Sequence, residues 1–367
     1  MRLSLTLIFA LMLWSACRQQ GPPPKTSFYV WKTSADLSEP ADSALIERIC
    51  GAEPLYVRLF DVDFSDGHRE PIPVGDLNEL DGICHRSIVP VVYLTNRTFT
   101  NLSDSTISRL AVRVATRMGS HVKEIAKNVV YDLLRADTER DDAWYQRADS
   151  LETDWIRRIP EIQIDCDWTA NTQKQYFQFL KAFRTHIEGR QLSCTIRLHQ
   201  YRDRRSAGTP PVDRGMLMCY NTNDPKAPGT RNAILDLATV KGYLKGSRYP
   251  LPLDVALPLF SWGAWYREGV FRGLMRGWNA GSLADTALFM PLSANRFVVA
   301  HDTVIGKDYL RGGDQIRLDT PAPDDVLAVA VLLRPVLAKG GRLLFFDFQP
   351  AITLQHEALI HDCMARF

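Results

Sequence analysis

The residues best suited to chemistry lie on one short run, Ile162-Gln163-Ile164-Asp165-Cys166-Asp167-Trp168-Thr169. It alternates strictly, the pattern of a strand, so Gln163, Asp165, Asp167 and Thr169 share one face and Ile162, Ile164, Cys166 and Trp168 the other. The apolar face suits burial under helices, which turns the two carboxylates inward. Side chains two apart on a strand stand roughly 6.5–7 Å apart, and two carboxylates that close in a poorly solvated mouth raise one another's pKa. Such a pair suits acid/base work or gripping hydroxyls. The spacing equally suits a buried polar network in which both pair with inward arginines such as Arg197.

Asp61-Val62-Asp63 repeats the spacing, and with Asp165 and Asp167 offers oxygen ligands to a hard cation. No calcium-loop spacing accompanies it, and no metal is expected. Thr195, Arg197 and His199 share a face in Cys194-Thr195-Ile196-Arg197-Leu198-His199, where His199 is an acid/base candidate or a hydrogen-bonded structural histidine. Trp31, Tyr93, Tyr220 with Asn221, and Trp262 close other apolar runs, and Asp347 closes the last. Trp262, Trp265 and Tyr266 read as a glycine-containing loop whose rings either stack on sugars or pack locally. Carboxylates, amides and aromatic rings converging on one mouth are the chemistry of a sugar site.

Such a mouth requires elements to build it. Strand-like runs at 28–31, 55–64, 88–95, 162–168, 192–201, 216–220, 253–262 and 343–348 alternate with helical patterns at 41–50, 103–130, 172–187, 323–338 and 354–366. The polar stretch 137–149 reads as an inserted excursion. Strands separated by helices pair in parallel, and eight such units make a closed (β/α)8 barrel, whose sites lie at the strands' C-terminal ends. An open doubly wound sheet is the alternative, but no glycine-rich phosphate loop follows the first strand. The expectation is therefore an α/β chain with a single (β/α)8 barrel and no cofactor.

The 367 residues include 44 Lys+Arg against 42 Asp+Glu, a net charge of +2 that gives no case for nucleic acid. At 46% hydrophobic and 23% charged the composition is that of a folded chain, not a disordered or fibrous one. Arg2, the apolar run 3–13 and small Ser15-Ala16 directly before Cys17 form a bacterial lipoprotein signal over residues 1–16. Cys17 is then the lipidated residue and residues 17–26, stiffened by Pro22-Pro23-Pro24, a tether to the barrel at 27–367. An ordinary secretory signal cut elsewhere is the other reading. The expected setting is the bacterial cell envelope, with a glycan ligand, a membrane reached through the anchor, and a monomeric barrel. Cys50, Cys84, Cys166, Cys194, Cys219 and Cys363 show no zinc spacing; Cys50 with Cys84 is an open disulfide possibility, and the three on strands read as buried.

Asp165-Cys166-Asp167-Trp168 resembles the fourth-strand signature Asp-x-x-Asp-x-Asp-x-Glu of family 18 glycoside hydrolases, the chitinase-like barrels. Met218-Cys219-Tyr220-Asn221 is similar to that family's sixth-strand Met-x-Tyr-Asp. The stretch 256–263 is similar to its Gly-x-Pro-x-Tyr-Gly, and 340–347 to its final aromatic strand. The chain is also similar to bacterial lipoproteins with glycosidase-like barrels. The resemblance implies a sugar site at the mouth, and it also marks departures: Ile162 replaces the family's first Asp, Asn221 its sixth-strand Asp, and Thr169 its proton-donating Glu. The family's mechanism therefore does not run as written. Either another carboxylate took over, Asp63 and Asp347 being the strand-end candidates, or the barrel is non-catalytic, binding a glycan at the surface without cleaving it or serving as an envelope scaffold.

Overall fold

A computed structural model describes residues 24–83, 86–137, 139–246 and 248–367. Cys17 and Cys84, with the lipid-anchor and disulfide readings they carry, lie outside the described residues.

Eight strands close a parallel barrel: β1 (Lys25–Val30), β2 (Leu55–Ser65), β3 (Ile88–Leu94), β4 (Glu161–Asp165), β5 (Gln191–Arg197), β6 (Arg214–Met218), β7 (Leu253–Pro258) and β8 (Arg342–Phe346). Each pairs with its neighbour in sequence, and β1 pairs with both β8 and β2, which removes every edge. The eight-unit expectation holds. On β4 the alternation works as read: Gln163 and Asp165 face the barrel interior, while Ile162 and Ile164 are buried under helices.

The helical ring follows from spacing and caps. Helix α1 (Pro40–Cys50) covers β1, and α2 (Asp104–Leu133) presents Ile107, Leu110, Ala111, Val114 and Met118 inward behind its Ser103 cap. The polar stretch read as an excursion instead opens α3 (Asp142–Arg157), because the Asp141 carboxylate accepts the Trp144 backbone N–H at 2.8 Å. After β4 comes α4 (Gln173–Arg184), and after β5 two short helices, α5 (Leu198–Arg202) and α6 (Arg204–Ala207). The ring is completed by α7 (Leu237–Tyr243), α8 (Pro323–Leu333), α9 (Pro350–Gln355) and α10 (Glu357–Met364). No helix among the described residues is long and apolar enough to cross a membrane.

Two departures shape the mouth. Beyond the rim, β2 turns back as a hairpin with Glu70–Val74, and among the described residues no helix separates it from β3. Between β7 and α8 the chain builds a five-stranded antiparallel sheet in the order Val270–Arg276, Trp262–Arg267, Gln315–Asp319, Arg296–Val299, Phe289–Ser293. This inserted sheet has its own core of Met275, Leu283, Phe289, Val299, Leu310 and Ile316.

Candidate functional site

The C-terminal ends of the strands enclose a cavity of about 620 Å³. Trp31, Asp61, Tyr93, Asp165, Arg197, Tyr220, Asn221, Trp262 and Asp347 line it, so most of the residues read from the sequence do meet at one mouth. A hollow of similar volume between α2 and the β2 hairpin carries less free chemistry, because Arg113 and Arg117 there are bonded to Glu70 and Asp76.

One half of the mouth is aromatic. Tyr93 meets Trp31 at 6.5 Å between ring centroids, Trp31 meets Phe346 at 5.4 Å, and Phe346 meets Tyr220 at 5.2 Å and Phe260 at 5.6 Å. Phe260 continues the arc to Trp262 at 5.3 Å. Burial pushes the phenols of Tyr93 and Tyr220 above their ordinary range, so both remain neutral donors. Trp262 is held by its indole Nε1, which donates to Asp319 Oδ2 at 2.9 Å.

The other half is polar. Asp165 is buried, and its Oδ1 accepts from Thr195 Oγ1 at 2.5 Å. Burial pushes its carboxyl up to about 6; the Arg197 guanidinium opposes that rise, while the Asp167 charge adds to it. Arg197 binds Asp167 through two nitrogens, Nη2 to Oδ2 at 3.0 Å and Nε to Oδ1. The pairing alternative therefore describes Asp167, whereas Asp165 keeps its second oxygen outside any such pair among the described residues. Asp347, following β8, is buried too, and desolvation raises its pKa while the Gln349 amide, 2.8 Å from Oδ1, holds it in place. β4 and β8 stand four strands apart in a ring of eight, so Asp165 and Asp347 enter from opposite sides.

Several expectations need correction. Asp63 does not line the cavity: β2 has by then left the barrel for the hairpin, and Asp63 is held by Arg97 Nη2 at 2.9 Å and Thr95 Oγ1 at 2.5 Å. Asp61 lines the mouth instead. A register irregularity between Arg58 and Phe60 lets Arg58 reach it, Nη2 to Oδ2 at 2.5 Å. His199 is not on the inward face, because β5 ends at Arg197 and the chain turns into α5, leaving His199 exposed. Asn221 lies past the end of β6 at φ 55°, exposed on the rim. The rings after β7 are strand residues, not loop residues. Only Trp262 faces the cavity; Trp265 packs on the inserted core with its indole on Asp314, and Tyr266 donates to the Pro225 carbonyl at 2.5 Å. Thr169 is exposed in the turn before α4, its N–H donating to Thr172 Oγ1 at 3.0 Å. No group of three or more metal-ligating side chains occurs among the described residues.

Phe260, Leu274, Arg276 and Gln349 also line the mouth and were not read from the sequence. Leu274 and Arg276 belong to the inserted sheet, whose strands follow no barrel periodicity.

No family model matches the chain, and no curated protein matches it in sequence. Among solved structures, it is similar to the spore cortex-lytic enzyme SleL of Bacillus megaterium QM B1551, at 13% identity over 94% of this chain and 75% of that one, with a TM-score of 0.47. The Bacillus cereus SleL matches at 14% over the same shares, TM-score 0.45. The xylanase-α-amylase inhibitor protein XAIP-III matches at 10% over 94% of this chain and 99% of that one, TM-score 0.42. Likeness at this level is one of backbone course and does not determine activity.

Proposed function

We propose that the barrel mouth binds a glycan and hydrolyses a glycosidic bond. One observation supports this reading above the rest: a continuous aromatic arc from Tyr93 to Trp262 faces Asp165 and Arg197 across one cavity. Rings stack on the apolar faces of sugars, while carboxylates, amides and guanidinium groups take their hydroxyls. Asp347 forms no ion pair among the described residues, and burial raises its carboxyl against the opposing Gln349 amide and Lys32 charge, the condition of a carboxyl that gives its proton to the leaving oxygen. Asp165, which burial raises to about 6 and the Arg197 guanidinium draws back, takes the opposing role, drawing a proton from the attacking water.

A glycan-binding protein without turnover is the second reading. It is favoured by Thr169, an exposed hydroxyl where the chitinase-like resemblance places the acid, and by Asp167 being held by Arg197. A panel of neutral and amino-sugar oligosaccharides separates the two. The hydrolase reading expects products from the wild type, with Asp347→Asn and Asp165→Asn each losing about 100-fold or more in rate while still binding. Binding with every glycan left intact supports the second reading and contradicts the first.

We also propose that Cys17 carries a lipid anchor in the bacterial envelope, resting on the apolar run before it. Cys17→Ala is expected to release the protein from the membrane fraction; equal partitioning of both proteins contradicts the anchor.

A further inference from the structure

The inserted sheet turns one face to the mouth, and its side chains form a row across three strands. Arg276 pairs directly with Trp262, and Trp262 with Asp319, so the three point to the same side. Directly paired residues have Cβ atoms about 4.5–5.5 Å apart, which makes Arg276 and Trp262 cross-strand neighbours on the face turned to the mouth. Gly263 and Met275, one residue on, face the other way, Met275 into the inserted core.

The cations of this region differ in what they hold. Arg58 is bound to Asp61 and Arg197 to Asp167. Arg317 is fully buried and bound to Asp319 by two bonds, at 2.8 and 2.9 Å, and Asp319 also takes the Trp262 indole. Arg276 is exposed, lines the cavity, and pairs with no carboxylate among the described residues. A planar donor fork beside a fixed aromatic ring is suited to a sugar that stacks on the ring and carries an anion on its edge.

We propose that Arg276 selects glycan units bearing a carboxylate, with Trp262 as the stacking surface. This rests on the glycan reading of the mouth and adds the substrate class. A carboxylate fits the planar fork through two parallel bonds, and Asp319, the acid on the same row, is already held by Arg317 and the Trp262 indole and does not compete for Arg276.

The test measures binding of uronic-acid oligomers and carboxylated amino-sugar oligomers to the full chain, each beside its counterpart with the carboxylate reduced to an alcohol. The wild type is expected to prefer at least one acidic member by about tenfold, a preference that salt weakens. Arg276→Gln should abolish that preference, bringing affinity for the acidic member down to that for its reduced counterpart, while Arg276→Lys should keep part of it. Equal binding of acid and reduced forms by the wild type, or a preference that survives Arg276→Gln, overturns the proposal and leaves the glycan reading standing. Absence of binding by every member, acidic or reduced, overturns both.

Discussion

Asp165 and Asp167 read alike in sequence, yet the fold gives them opposite tasks. Asp167 lies one residue pair past the end of β4, half-exposed and bound to Arg197; Asp165 is buried at the strand end with its pKa pushed up to about 6. The ordinary aspartate value of about 3.9 applies to the unfolded chain, so the folded protein binds more protons between about pH 4 and 6. Stability from this residue is present below pH 4 and lost as the pH rises through 6. Asp165→Asn, whose amide oxygen still accepts from Thr195, should flatten that decline and melt no lower than wild type at pH 7. Asp167→Asn should cost about 1–2 kcal/mol, since Asp167 is 39% exposed and Asp165 still faces the guanidinium. Thermal melts from pH 4 to 8 check both, and a lower melting point for Asp165→Asn at pH 7 would count against its strained burial. The alternation of Ile162 to Thr169 was enough to place Asp165. It was not enough to separate the pair, because Arg197 and the end of β4 are set by the neighbouring strand.

Elements were legible where they repeat a period. All eight barrel strands and the long helices α2 and α4 follow from alternation and three-to-four spacing. Strand ends were not, since a run such as 192–201 keeps alternating to His199 as β5 gives way to α5, and this is why His199 was aimed inward and Asp63 kept on the rim. The inserted sheet was missed because its strands carry arginines and aspartates among their apolar residues, some of them fully buried, so their alternation does not register as apolar against polar. Arg317 and Asp319, both fully buried, show the point: Arg317 also donates to the Ala227 carbonyl at 2.9 Å, tying the insert to the segment after β6. Replacing Arg317 with Met strands the Asp319 carboxylate, at an expected cost of about 3–5 kcal/mol. The same change frees the Trp262 indole partner, so tryptophan fluorescence should shift with the loss of stability measured by denaturant. An unchanged midpoint and spectrum would mean that the insert does not depend on this pair.

Across the whole molecule the two poles of the barrel are built differently. At the N-terminal pole Arg342 joins Glu161 at 2.8 Å, Glu53 at 3.0 Å and the Tyr56 hydroxyl at 3.2 Å, a closed network that consumes its charges. At the mouth, carboxyls remain beside open space. Stability and binding should therefore separate by pole: Arg342→Met leaves Glu161 buried without its cation and should cost about 3–5 kcal/mol, with glycan affinity of the folded protein unchanged. A loss of affinity at that distance, with the fold intact, would break the division. The most direct measurement of the central claim is a crystal structure of the protein with a bound oligosaccharide. The account predicts sugar rings lying along the arc from Trp31 to Trp262 with a glycosidic oxygen between Asp165 and Asp347. Sugar bound elsewhere on the barrel, with this mouth unoccupied, would contradict it.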